Sequence, residues 1–129
     1  MKRDMDLIRL ILLRVEEQDP NTSSYESITI DGYTSGEVRE HIKLLANAGM
    51  ISDVHHDLDG NVWVRSITWD GYDYLDKVRD NTIWKKTKDT IKEKGLPLIF
   101  DTIKTISSAF ITAAAEGVAN SIIKNGGQL

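Results

Sequence analysis

The pair Asp59-Gly60 lies between the run Val54–Leu58 (VHHDL) and the run Val62–Ile67 (VWVRSI). The second run is β-branched and aromatic, and Asp-Gly is a preferred pair for a tight turn built on positive φ. No other stretch constrains the fold as sharply: a β-hairpin is expected here. Direct pairing across a two-residue turn sets His56 against Trp63 and His55 against Val64.

Helical signals lie on both sides of the hairpin. Asp4 is placed to cap a helix to about Glu17, with Ile8, Ile11, Leu12 and Val15 on one stripe. Asp19-Pro20-Asn21 ends it, and NTSSYES reads as a polar loop. SITIDGY then reads as a short strand. Thr34 and Glu37 have the spacing of a capping box. The helix they open carries Val38, Ile42 and Leu45 inward and ends at Gly49, a suitable left-handed cap. Beyond the hairpin, Thr68 caps a further helix with Asp70 in its first turn and Leu75 and Val78 inward. Asp80-Asn81-Thr82 reads as an interruption before the basic segment IWKKTKDTIKEK, which Gly95 and Pro97 close.

Helix, short strand, helix, hairpin, helix is the order of a winged-helix-like α/β (α+β) domain with a two-stranded wing, assigned to residues 1–95. The rest differs in character. Residues 96–125 read as an apolar helix whose stripe is Ile99, Ile103, Ile106, Phe110, Ala114, Val118 and Ile122, and residues 126–129 as a flexible tail. The longest uncharged run there, Thr105 to Ala115, is eleven residues, against the roughly 20 of a membrane span. A membrane is therefore not the expected partner. Alanines at 109, 113 and 114 suit close helix packing, so self-association into a homo-oligomer is the first reading and docking onto the chain's own domain the second.

Three blocks, MKRDMDLIR, GYTSGEVREHIKLLANAGMI and ITWDGYDYLDKVRDNTIWKKTK, resemble in order an uncharacterised bacterial and phage-associated family. It is catalogued as a domain of unknown function, number twenty-five-thirteen. The resemblance covers roughly residues 1–94. It implies a winged-helix-like domain in a prophage or mobile-element setting, and it brings no activity, cofactor or catalytic residue.

Charge decides between the functions such a scaffold can have. The 129 residues carry a net charge of −4, unevenly spread: counted from the sequence, residues 20–76 sum to −7 and residues 77–94 to +4. A groove-reading helix would be Thr34–Ala48, yet Arg39 and Lys43 are balanced there by Glu37 and Glu40. Only Asn47 joins those two bases as a base-reading group. The wing has acids at its tip and one base, Arg65, on its second strand. Phosphate contacts supply most non-specific affinity for DNA, so a DNA-binding dimeric regulator is the alternative and a protein partner the first expectation. Lys85, Lys86 and Lys88, with Trp84 set among them as the aromatic expected to be exposed, complete the set of contact candidates. The other aromatics, Trp63, Trp69, Tyr72 and Tyr74, read as closing the strand-to-helix junction.

Chemistry is not expected. There is no cysteine, no glycine-rich phosphate loop and no nucleophile elbow. His55 and His56 point to opposite faces of a strand, and His41 has no zinc-ligand spacing. No enzyme activity, metal, cofactor or small-molecule substrate follows from the sequence. The N-terminus has no signal-peptide core, so a cytoplasmic protein is expected.

Overall fold

The computed structural model describes residues 1–126. Its elements are α1 (Met5–Glu16), α2 (Ser35–Asn47), β1 (Ile51–His56), β2 (Val62–Ile67), α3 (Trp69–Val78), α4 (Asn81–Glu93) and α5 (Phe100–Gly126). This mixed α+β order, with a two-stranded antiparallel hairpin, is compatible with a winged-helix-like plan. The chain forms two compact units, Met1–Asp76 and Lys77–Leu129. The division falls after Asp76 rather than at Gly95, because Gly95-Leu96-Pro97 is the turn of a helical hairpin between α4 and α5.

In the first unit the helix ends are closed by their own residues. The Asp4 carboxylate accepts from the backbone N–H of Asp6 and Leu7 at 2.9 and 3.2 Å. Thr34 and Glu37 form the reciprocal capping box, each side chain accepting from the other's N–H at 3.1 Å. At the far end of α2, Gly49 takes φ +73°. Its N–H reaches the Ala46 carbonyl while the Met50 N–H reaches that of Leu45, both at 3.0 Å, which is a Schellman closure. The apolar stripe of α1 (Leu7, Ile8, Ile11, Leu12) and that of α2 (Val38, Ile42, Leu45) are all buried. His41 joins the two helices: its Nε2 accepts from the Asp4 N–H at 2.8 Å, and its Nδ1 lies 2.8 Å from the Glu37 carbonyl. That pairing makes it a neutral imidazole with the proton on Nδ1.

Two expectations fail locally. SITIDGY forms no strand. Ile28 donates one backbone bond to the Val62 carbonyl (2.8 Å), and the Ser27 hydroxyl accepts from the Val62 N–H (3.0 Å), so a side chain takes the place of the second ladder bond. The hairpin register is also offset by one residue, the loop being three residues long where direct pairing across Asp59-Gly60 requires two. His56 pairs with Val62, His55 with Trp63 and Val54 with Val64. The cause is Asp57, whose carboxylate accepts from the N–H of Asp59 and Asn61 and from the Asn61 side-chain amide at 2.9–3.0 Å. The Asp57 N–H bonds the Asn61 carbonyl at 3.1 Å, leaving Leu58-Asp59-Gly60 as the loop, with Gly60 at φ +88°.

Halfway along β1, Asp53 sits at φ +57°, a conformation that Asp tolerates better than most residues. The ladder skips the Asp53–Arg65 position. In β2 the alternation breaks at the same level: Val62 and Val64 are buried, then Arg65 and Ser66 are both exposed, then Ile67 is buried again. The break exposes Ser66 and turns Ile67 inward, while Arg65 keeps the outer face it shares with Trp63.

The second unit is a helical hairpin. Asp80 caps α4 through the Ile83 N–H at 2.9 Å. Gly95 repeats the Schellman closure, donating to Lys92 at 3.1 Å while Leu96 donates to Ile91 at 3.0 Å. With α4 at 13 residues and α5 at 27, a rise of about 1.5 Å per residue gives lengths of about 20 and about 40 Å. The seven-residue stripe, whose first member Ile99 immediately precedes α5, divides accordingly. Ile103 is fully buried and Ile99, Ile106 and Phe110 are half-buried, whereas Ala114, Val118 and Ile122 are exposed, as is every residue from 112 to 125. By length and composition α5 is also long and apolar enough to cross a membrane. Of the segment expected to be a flexible tail, Gly126 ends α5, and residues 127–129 lie outside the described residues.

Candidate functional site

The loop from Gln18 to Ser27 makes a groove of the first unit's surface. It is held from within: Asn21 donates to the Asp19 carboxylate at 2.8 Å, and the Ser24 N–H donates to the Thr22 hydroxyl at 3.2 Å. It is also tied down at both edges. Arg14 of α1 pairs with Glu26 at 3.5 Å, and the Gln18 side-chain amide donates to the Val64 carbonyl of β2 at 2.7 Å. The outer edge of β2 is thereby covered by side chains and loop backbone, which blunts strand-to-strand pairing there.

Tyr25 stands at the middle of this surface. A cleft of about 360 Å³ runs from Val15 and Glu16 past Pro20 and Tyr25 to Arg65 and Tyr72. A second, of about 340 Å³, is lined by Ser23, Ser24, Tyr25, His55, Trp63 and Arg65. A third, of about 200 Å³, lies between Arg14, Asp19, Ser24 and Tyr25. All three border Tyr25, and the larger two border Arg65, so they cluster around this pair of side chains as one grooved surface. The Arg65 guanidinium lies over the Tyr25 ring, 4.7 Å from its centroid. His55 Nε2 is 2.6 Å from the Asp53 carboxylate, so the same Asp53 whose backbone breaks the β-ladder also holds the histidine at the groove's rim.

The groove continues onto α3. Trp69 is 82% exposed and Tyr72 42%. Spaced i and i+3, they share one face of the helix with Asp73, and Asp70 borders it. The opposite face is buried through Gly71, Tyr74 and Leu75. Gly71 permits this close seating, because a Cβ there would meet the Met50 carbonyl and would come within 2.7 Å of the Ile67 side chain.

The residues singled out from the sequence have several different fates. Arg39 is half-buried, and its guanidinium lies beside the hairpin tip, 3.5 Å from where a Cβ on Gly60 would stand. Lys43 pairs with Glu40 at 3.1 Å, and Asn47 is exposed at the end of α2. Arg65 alone of that group lies in the groove. In the second unit the expected exposure of Trp84 is overturned: it is 4% exposed, because it lies on the buried face of α4 with Thr87 and Ile91. Lys88 rests its ammonium 5.3 Å from the Trp84 ring centroid. Lys85 pairs with Asp89 at 3.0 Å, and Lys86 is exposed. The aromatics read as closing the core divide the other way: Tyr74 is buried, Trp63 half-buried, and Trp69 and Tyr72 face solvent. Tyr25 was missed altogether. An aromatic standing alone in the polar run NTSSYES was its one sequence signal.

Comparison with known proteins agrees with the resemblance read from the three sequence blocks. An uncharacterized protein of Haemophilus influenzae is 39% identical over 114 residues, covering 87% of this chain and 97% of that protein. The likeness therefore runs past the α4–α5 turn into α5. No solved structure matches the chain. Residues 2–97 match the family described as "Hypothetical protein (DUF2513)", and the chain belongs to that family.

Proposed function

We propose that this chain is a non-enzymatic protein-interaction module in which the groove of the first unit holds a partner protein and the outer half of α5 joins copies of the chain. The phage or prophage setting implied by the family resemblance suits an adaptor or inhibitor of a host protein in the cytoplasm. The observation that carries the reading is the aromatic groove itself. Tyr25, Trp63, Trp69 and Tyr72 line or border one surface, and exposed aromatic side chains beside a cleft are the commonest anchors of protein interfaces. The self-association part rests on α5, where Val118, Ile122 and Ile123 are 60–72% exposed on a stretch that outruns α4.

The regulator reading is less well supported. Of the two bases on α2, one is paired with Glu40 and the other lies against the hairpin tip, and that tip carries Asp57 and Asp59. Little positive charge remains there to neutralise phosphate.

A photo-crosslinking amino acid placed at Tyr72 of the full chain, in cells, tests the groove. Protein adducts that persist after nuclease treatment, and that are absent when the same group replaces Thr29, are expected. Adducts only to nucleic acid would overturn the reading in favour of the regulator. Sedimentation velocity on the full chain tests the tail: the mass should exceed that of a monomer and fall to it in Ile122→Glu. A monomeric wild-type chain would remove self-association from the proposal.

A further inference from the structure

The interaction-module reading leaves the chemistry of the partner open, and the surface around Trp69 and Tyr72 narrows it. We propose that this face of α3, with the cleft it adjoins, takes a lysine- or arginine-rich peptide segment of the partner protein. The proposal rests on the reading of the groove as a protein-binding surface and adds to it the sign of the ligand.

Three observations converge. First, Trp69 and Tyr72 offer exposed ring faces bordered on the same helix by the exposed carboxylates of Asp70 and Asp73. A ring face and a carboxylate side by side favour a cation with an apolar stem: the ring attracts its charge and the carboxylate accepts its N–H groups. An acidic segment would be repelled. A wholly apolar one would bury two carboxylates without partners, which is costly.

Second, the groove already contains one such pairing, with the Arg65 guanidinium 4.7 Å from the centroid of the Tyr25 ring. Its other arginine, Arg14, is paired with Glu26. Both arginines of the groove are thus already engaged with partners of their own, while Tyr72 opens onto the same 360 Å³ cleft. Val15 and Pro20, which also line that cleft, offer apolar surface for the methylene stem of a lysine or arginine, leaving its head at the rim.

Third, the long-range field has the right sign. Residues 20–76, which contain the loop, the hairpin and most of α3, sum to −7. A basic segment is drawn toward such a surface, and the attraction weakens with salt.

Selection of random twelve-residue peptides against the immobilised full-length protein at low salt reads the ligand's chemistry without assuming its identity. Enrichment of sequences with several lysines or arginines beside an aliphatic or aromatic residue is expected. A selected peptide should lose at least tenfold in affinity in Trp69→Ala, and a similar factor in Asp70→Asn/Asp73→Asn, a pair of exposed substitutions that leaves the fold in place. It should also lose affinity steeply between 50 and 300 mM salt, about tenfold or more if several charges are engaged. Acidic or wholly apolar winners that compete with a Tyr72 crosslink would overturn the basic partner and leave the interaction module standing. Basic winners unaffected by the Asp70/Asp73 pair would place the site elsewhere and overturn the proposal. No enrichment of any peptide, with duplex DNA retained instead, would overturn both. If the selected motif matches the lysine-rich α4 segment of this chain, the same surface binds a second copy rather than a foreign protein. That outcome overturns the foreign partner assigned here.

Discussion

The two units use the same kind of apolar periodicity to different ends. In Met1–Asp76 the stripes of α1 and α2 are fully spent: Leu7, Ile8, Ile11, Leu12, Val38, Ile42 and Leu45 are all at or below 1% exposure. In α5 the same periodicity continues past Phe110, but α4 ends, and Val118, Ile122 and Ile123 stand in solvent. Periodicity records which residues can share a face. Whether that face is covered depends on the length of the partner element, and at about 20 Å against about 40 Å α4 cannot cover α5. The lesson extends to aromatics: on α3 alone, Tyr74 is fully buried while Trp69 and Tyr72, a few residues away, are exposed.

Two helical glycines give the sharpest way to break this contrast. A Cβ on Gly71 would be driven into the Met50 carbonyl, which is backbone and cannot swing aside, whereas a Cβ on Gly117 would meet nothing within 4 Å. Gly71→Ala is expected to cost at least about 3 kcal/mol, the range of severe overpacking, and to leave the first unit partly unfolded at ambient temperature. Gly117→Ala should instead be neutral or stabilising by up to about 1 kcal/mol, from helix propensity. Urea unfolding followed by circular dichroism reads both. Equal effects at the two sites would mean that α3 is not seated on the start of β1 as described.

Much of the first unit was legible because its signals are local. Asp4, Thr34 with Glu37, Gly49 and Thr68 each act within a few residues of themselves, and each closes the helix end the sequence assigned to it. The hairpin was legible in position but not in register. Asp-Gly announces a turn, but the choice between a two- and a three-residue loop lay with the Asp57 carboxylate and its bonds to Asp59 and Asn61. The groove was the least legible part. It depends on the Asp53 break, on Gln18 reaching the Val64 carbonyl 46 residues away and on Tyr25 meeting Arg65, and none of these leaves a periodic trace. Trp84 misled for a related reason: flanking lysines describe a helix's exposed face, not the face on which the tryptophan sits.

A second pair of substitutions tests the division of the α5 stripe. Ile103, fully buried, should lose about 2–5 kcal/mol on replacement by alanine. Ile122, 61% exposed, should lose less than about 0.5 kcal/mol in a dilute sample. Thermal unfolding at two protein concentrations separates intrinsic packing from assembly. If Ile122→Ala lowers the transition only at the higher concentration, the outer half of α5 is covered by another copy. A large, concentration-independent loss would mean that it is covered within the chain.

Tyr74, the buried tyrosine of α3, makes the stability of the first unit sensitive to alkali. Burial pushes the Tyr74 phenol well above the ordinary tyrosine range, Asp6 adding to the rise and Arg9 opposing it. In the unfolded chain the same phenol ionises near pH 10. Because the native state holds that proton longer, its stabilising effect is complete below about pH 10 and is lost as the pH rises beyond it, by up to about 1.4 kcal/mol per pH unit. Tyr33, also raised chiefly by burial, adds to the wild-type slope, so the variant comparison isolates Tyr74. Unfolding free energies at pH 9, 10 and 11 should fall less steeply in Tyr74→Phe than in the wild type. Parallel slopes in the two proteins would mean that the Tyr74 phenol is not buried as described.

The hairpin tip should give the smallest response, because it is a surface turn that organises itself. Hydrogen bonds from Asn61, the side-chain amide foremost, hold the Asp57 carboxyl below its ordinary range, against the opposing effect of desolvation. The lowered value means that the turn is held together above the ordinary carboxylate range and loosens as the pH falls through the folded-state value. Asp57→Ala should leave the global unfolding transition nearly where it was while speeding amide exchange at Asp59 and Asn61, the two N–H groups that lose their acceptor. Wild type and variant should converge at acid pH, where the carboxyl is neutral. A global loss of stability in Asp57→Ala would show instead that the tip, through the Arg39 guanidinium packed beside Gly60, helps to hold the hairpin onto α2, and that the wing is as fully integrated into the first unit as its helices are.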